Sequence, residues 1–184
     1  MNLFLLSLDP RRAVRLYGQR HVVKMVLEAA QLMNNVYHCH ECAVKPCSYR
    51  PTHTRHPWSI WASRRKRNFR MLGSFAVAMC LEFRRRRGKA HKCEREIVAM
   101  LRCPPVFRKS LRPAYTDGTR MAMAGRVRVP LCMPEEFRCE SAVLSYRRYY
   151  VRKMLDLARR DGWSRDYPEG RGRFLAVMVF NKQA

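Results

Sequence analysis

His21, Lys24, Glu28, Gln31 and Asn35 are the residues whose types and spacing could do chemistry, and they lie in one stretch, Arg20 to Asn35, RHVVKMVLEAAQLMNN. At 100° per residue they fall within roughly 80° of one another on a helix. Nearly every other position from Val22 to Met33 is apolar. A surface helix has a wide solvated face. This one sets a narrow polar stripe in a wide apolar arc, as a helix lining a cleft would. Imidazole, amine, carboxylate and carboxamide are the groups of acid–base and amine chemistry. The same pattern also fits a core helix whose polar side chains pair at i, i+3 and i+4.

The chain that must position this stripe has 184 residues, 47% hydrophobic, with a formal net charge of +24. That length and composition allow one domain, 1–184, with a buried core. The basic residues run from Arg11 to Arg173 rather than in one tail. Such a field attracts polyanions, nucleic acid first among them. A packaging protein would use the same charge only to neutralise. No basic amphipathic helix with a clean Trp/Phe/Leu face is apparent, so a membrane surface is not expected as a partner. The start, MNLFLLSLDP, lacks a basic n-region and is closed by Asp9-Pro10, unlike a signal peptide. No run approaches the ~20 apolar residues of a membrane span. The expected place is cytoplasmic, with the eight cysteines reduced.

The elements follow in order. Leu3 to Leu8 reads as a short strand. Asp9 caps a helix over about 11–17 with Pro10 at its first position, and Gly18 separates it from the central helix, which Asn34-Asn35 ends. A long helix is expected from Ser59 to Arg86, stopped by Gly88, and a short one from Cys93 to Arg102. Residues 106–134 look loop-rich. A last helix spans about 135–161, with Pro134 before it, Glu135-Glu136 on its first turn and Arg159-Arg160 at its end. The 162–184 tail is divergent, and its FLAVMVF run could pair as a strand with the N-terminal one. The fold expected is mainly α, a single compact helical domain with short terminal strands and a Cys/His-rich loop at 36–57.

That loop raises a second chemistry. Cys39-x-x-Cys42 and Cys47 place three thiols close in sequence, and His38, His40, His53 or His56 could complete a tetrahedral zinc set. The set chosen is Cys39, Cys42, Cys47 and His53; incidental cysteines on a loop are the alternative. His53 and His56 sit in a turn stiffened by Pro51 and Pro57. Trp58 follows, a platform for an unstacked base if it is exposed and a core residue if not. Trp61, inside the next helix, reads more readily as core.

Cationic clusters supply the remaining candidates for nucleic-acid contact. Arg64, Arg65 and Arg67 lie near a helix start, where the dipole disfavours cations, so a partner rather than the helix explains them. Arg85 and Arg86 close that helix, and Lys89 and His91 continue the basic surface. Arg147 and Arg148 sit among tyrosines in Tyr146 to Tyr150. Arg20, Gln31, His53 and His56 complete the set.

Four segments together resemble a set of small phage and viral proteins: RHVVKMVLEAAQLM, THTRHPWSIW, the helix closing in RRRRGKAHK, and MPEEFR with AVLSYRRYY. The resemblance covers most of residues 1–155. Over about the first 90, the architecture is similar to the phage pyrimidine-dimer DNA glycosylases of the endonuclease V type. Those carry a helix with His and, seven residues later, the catalytic Glu, as His21 and Glu28 stand here; Thr54-Arg55-His56-Pro57 approximates a Tyr-x-x-His-Pro turn found in their relatives. The resemblance implies a helical domain that binds damaged duplex DNA, flips a nucleotide and cuts the glycosidic bond, in a host cell if the protein is viral. It gives Glu28 the glutamate role and sets His21 and Arg20 on phosphate or sugar. The family nucleophile is the amine of a small second residue. Residue 2 here is Asn, which leaves the Met1 amine or Lys24 to attack, and the Cys/His-rich loop looks like an insertion.

Three functions are therefore expected in order: an N-glycosylase/AP-lyase acting on a damaged or modified base and needing no cofactor; a non-catalytic basic nucleic-acid-binding protein, with a structural zinc if the thiols are used; and a zinc-dependent nuclease built on His53, His56 and the cysteines. Double-stranded DNA is the expected partner.

Overall fold

The computed structural model describes residues 3–115 and 118–162. It is mainly helical. In chain order it contains α1 (Pro10–Arg15), α2 (Gln19–Cys39), α3 (Pro57–Arg64), α4 (Lys66–Arg87), α5 (Glu94–Arg102), β1 (Met121–Ala124), β2 (Val127–Pro130) and α6 (Ala142–Asp161), with short 3-10 turns at Lys109–Leu111 and Glu135–Phe137. No described helix is long and apolar enough to cross a membrane. The chain divides into two units. One comprises Val23–Thr119 with the first residues of the chain, the other Phe4–Val22 and the chain from Arg120 on.

The first unit holds most of α2 with α3, α4 and α5. Trp58 and Trp61 are fully buried and meet edge to face at 5.1 Å. Tyr37 packs edge-on to Phe69, and its hydroxyl reaches the carbonyls of Met100 and Cys103, two of the orphan acceptors at the end of α5. Gly73 of α4 has no Cβ where Leu101 of α5 packs; one placed there would lie 2.5 Å from Leu101 Cδ2. His40, fully buried, has its Nε2 2.7 Å from the Ser63 carbonyl, and its Nδ1 accepts from the Arg108 amide. This fits one neutral tautomer and ties the end of α2 to α3 and to the 104–108 segment.

The second unit is built on aromatic rings. Phe4, Tyr17, His21 and Tyr150 pack with centroids 4.8–6.2 Å apart. The Tyr150 oxygen accepts from the Gly18 amide and lies 3.1 Å from His21 Nδ1. β1 and β2 form an antiparallel hairpin, Ala124 opposite Val127, turned at Gly125, whose φ of 59° suits the first position of a two-residue turn.

Several expectations need correction. Leu3 to Leu8 is not a strand: it joins no ladder among the described residues, and the Leu6 amide bonds back to the Phe4 carbonyl. Leu3 to Leu6 are buried in succession, and side chains serve the backbone instead: Tyr17 Oη donates to the Phe4 carbonyl and Arg147 Nε to that of Leu6. The described strands are central to the chain, not terminal. The tail strand lies outside the described residues. Asn34-Asn35 does not end α2. Both side chains are buried and grip the following loop, Asn34 through the Tyr49 carbonyl and Asn35 through Thr52 and Ser59, so helix continues to Cys39. The helix expected over 59–86 is two, broken at Arg65 (φ −152°, ψ 141°), where Asn68 Nδ2 takes the Trp61 carbonyl. The last helix starts at Ala142 rather than 135, because Ser141 caps it by accepting from the Leu144 amide, and the Met123 amide donates to the Glu140 carbonyl.

Candidate functional site

The polar stripe of α2 is not one lining. His21 is buried in the second unit against Phe4 and Tyr150. Its ring serves packing and is not presented to phosphate. The solvent face of α2 is instead Val23, Lys24 and Leu27, with Gln31 half-buried beside them. Glu28 lies at the edge of that face. Its carboxylate is 9% exposed and 3.4 Å from the Lys24 ammonium, which is 71% exposed. Lys24 is therefore not buried, but a reachable amine stands directly beside a sheltered carboxylate. His91 joins this region: its Nε2 lies 3.2 Å from the carbonyl of Val23, the residue before Lys24, and its Nδ1 accepts from the Cys93 amide. Burial of the ring holds its pKa below the ordinary value, outweighing the Val23 carbonyl and Glu94, so the imidazole is neutral at pH 7. Met1 lies outside the described residues.

Arg20 reaches Asp161, with 2.6 Å between them, and two arginines on that carboxylate hold its pKa down to about 2. Of the turn histidines, His56 is the N-cap of α3, accepting from the Trp58 amide, and Pro57 opens that helix. His53 is exposed with its backbone at φ 53° and its Nδ1 on Thr52 Oγ1. Trp58 is core, with no face for a base.

The cations separate into structural and free. Arg64 donates to the Pro113 carbonyl and lies over the Tyr115 ring. The Arg86 side chain is 2% exposed and, with Arg85, holds the buried carboxylate of Glu82. Burial alone would raise that carboxyl's pKa, but the two guanidiniums together bring it below the usual range. Arg147 is half-buried on the Leu6 carbonyl. By contrast Arg65, Lys66, Arg67, Arg70, Arg87, Lys89, Lys92 and Arg148 are exposed, and none has an ion pair among the described residues. Lys66, Arg70, Arg87 and Lys92 are additions to the expected set; their signal was adjacency to the clusters.

The Cys/His-rich segment does not gather its thiols. Cys39 Sγ turns to the Leu111 carbonyl and Cys42 Sγ to that of Val106. Burial raises the pKa of Cys39 and Cys47. Among the described residues no group of three His, Cys, Asp or Glu is placed to hold a metal ion. A cavity of about 450 Å³ lies there instead, lined by Asn35, His38, Cys39, Arg55, Ile60 and Pro113 among others. The geometry can therefore hold anions on two exposed cationic faces of the first unit and set one amine against one carboxylate. Comparison with protein-family models, with curated proteins and with solved structures finds no match for this chain.

Proposed function

We propose that this protein binds nucleic acid, double-stranded DNA first, through the exposed cations of its first unit. The start of α4 carries the reading. Arg65, Lys66, Arg67 and Arg70 are exposed there, with no acid in the first turn and no side-chain cap. Cations at a helix N-terminus oppose the dipole, at roughly 0.3–1 kcal/mol each. An external anion reverses that cost, and a phosphate backbone is the polyanion that meets several cations at once. The test is binding of a labelled duplex across a salt series. Log affinity should fall linearly with log salt. The Arg65→Ala/Arg67→Ala/Arg70→Ala variant should lose about three phosphate contacts, roughly a hundredfold in affinity at 0.15 M salt. An unchanged slope defeats the assignment of this face.

A second reading rests on the Lys24–Glu28 contact. There the protein is an N-glycosylase/AP-lyase on a damaged or modified base. A nucleotide is flipped from the duplex, the Lys24 ammonium gives a proton to Glu28, the free amine attacks C1′ as the glycosidic bond breaks, and Glu28 passes that proton to the departing base and remains as the carboxylate that supports the charged sugar. Borohydride should then trap a covalent adduct on DNA bearing ultraviolet lesions or abasic sites. Lys24→Ala should abolish trapping, and Glu28→Gln should abolish turnover while binding survives. Retention of the adduct in Lys24→Ala would move the nucleophile elsewhere, and no adduct on any substrate would leave binding as the function. A chelator should not affect the amine reaction, which separates it from a zinc nuclease.

A further inference from the structure

A groove of about 660 Å³ runs along α5 in the first unit, walled by Arg84, His91, Glu94, Arg95, Arg102 and Cys103 and floored by small apolar residues including Val98 and Ala99. Its polarity comes from helix geometry. Arg95, Val98, Ala99 and Arg102 are spaced i, i+3, i+4 and i+7, so one face of α5 carries a cation at each end and an apolar strip between. The two arginine positions are about 10 Å apart along the axis, close enough for their side chains to meet two phosphates of one strand. Arg84 is engaged by Glu94, the groove's one carboxylate. Arg95 and Arg102 are exposed and have no ion pair among the described residues. Arg102 also suits the helix C-terminus, but Arg95 is on the first turn, where the dipole disfavours it.

We propose that this groove is a phosphodiester track: Arg95 and Arg102 each take a phosphate of one DNA strand, and the Val98–Ala99 strip lies against the intervening sugars. The inference rests on the nucleic-acid reading and adds a location to it. His91 is the wall it shares with the candidate chemistry, since the same ring contacts the Val23 carbonyl beside Lys24. The His91 end of the groove is thereby joined to α2 at the residue before Lys24.

The test compares Arg95→Ala/Arg102→Ala with Arg11→Ala/Arg12→Ala, which removes the same charge from exposed positions of α1. Both are titrated against a labelled 20-base-pair duplex between 0.05 and 0.3 M salt, with melting temperatures checking the fold. Each lost phosphate contact lowers the salt slope by about 0.9, or roughly fivefold in affinity at 0.15 M. The groove pair should lose about 30-fold and the α1 pair only a fraction of that. Equal losses from the two pairs overturn the track while leaving nucleic-acid binding intact; no duplex binding by the unaltered protein overturns both. Competition by inorganic phosphate or a mononucleotide as strong as by duplex overturns it too, in favour of a small-anion site. As a second measurement, Cys103 is an exposed thiol at the groove's edge. A duplex bearing a bromoacetyl group on one internal phosphorothioate should alkylate Cys103, with the adduct lost in Cys103→Ser. Alkylation at other cysteines instead also counts against the track.

Discussion

His21 and Glu28 stand on the same helix and read in the sequence as one polar line. Their surroundings are of opposite kinds. In the second unit, His21 is packed against Phe4 and Tyr150 and bonded to the Tyr150 hydroxyl. Nothing in that arrangement is presented to solvent. In the first unit, Glu28 is sheltered but borders an exposed amine, on a helix face that also carries the exposed side chains of Val23 and Leu27. The aromatic knot is saturated and holds structure. The Lys24 side is open and can meet a ligand. A polar residue on a mostly apolar helix thus says little until its partners are counted.

Trp58 gives the largest expected effect and separates the two roles most sharply. Buried and packed on Trp61, it should cost about 3–5 kcal/mol on replacement by alanine, measured by urea denaturation. A nucleic-acid platform would instead leave stability near that of the unaltered protein and lose affinity. Arg86→Ala tests the cations in the same way. It leaves the buried Glu82 carboxylate with Arg85 as its remaining described partner and should cost about 3 kcal/mol. Arg87→Ala, one residue on and exposed, should change stability by no more than about 0.5 kcal/mol.

Tyr150→Phe probes the knot itself. It removes the hydroxyl that accepts from the buried Gly18 amide and bonds to His21, and should cost about 1–3 kcal/mol. DNA affinity measured well below the transition should be unchanged; a loss there would break the division between the two regions.

How much of this the sequence carried depends on whether the signal was local. Asp9 as cap, Pro10 at the first helical position and Gly88 at φ 67° with its amide on the Arg84 carbonyl are short-range devices, and they stand where the sequence placed them. The break at Arg65 has no glycine or proline to announce it. It depends on Asn68 reaching back to Trp61, which exists only once α3 and α4 are placed. Asn34 and Asn35, poor helix formers by local preference, remain helical because their buried side chains hold the 49–59 segment. The hairpin at 121–130 was hidden among prolines and arginines, though Ala-Gly-Arg-Val at its centre carried a turn signal. In the site, residue types were legible and exposure was not. Lys24 and Glu28 meet as their i, i+4 spacing requires, while Trp58, His56 and Arg86 have structural duties invisible to spacing.

Acid should weaken the fold in two stages. His38 and His91 both have pKa values pushed below 6.5, mainly by burial, so the unfolded chain binds their protons first. Stability is therefore present above pH 6.5 and falls as pH drops through that value. The carboxyls of Glu82 and Asp161, held below their ordinary values of 4.5 and 3.8, add a second loss beginning near pH 4.5, with Asp161 continuing toward its own pKa of about 2. Urea midpoints from pH 8 to pH 3 should show both stages, and His91→Gln should flatten the first. A midpoint constant from pH 7 to pH 5 would mean that neither ring is held neutral by its surroundings.

Lys24→Ala should have the smallest effect on the fold. The ammonium is largely in water, where an i, i+4 ion pair contributes about 0.3–0.5 kcal/mol. Glu28 keeps other contacts when the lysine is gone. The variant should therefore melt within a few degrees of the unaltered protein and bind duplex with at most one phosphate contact fewer. If it also loses every trace of borohydride trapping, the open side of α2 has chemistry that the fold does not need. If it instead unfolds at much lower denaturant, the Lys24–Glu28 pair belongs with the knot around His21, and the contrast between the two regions fails.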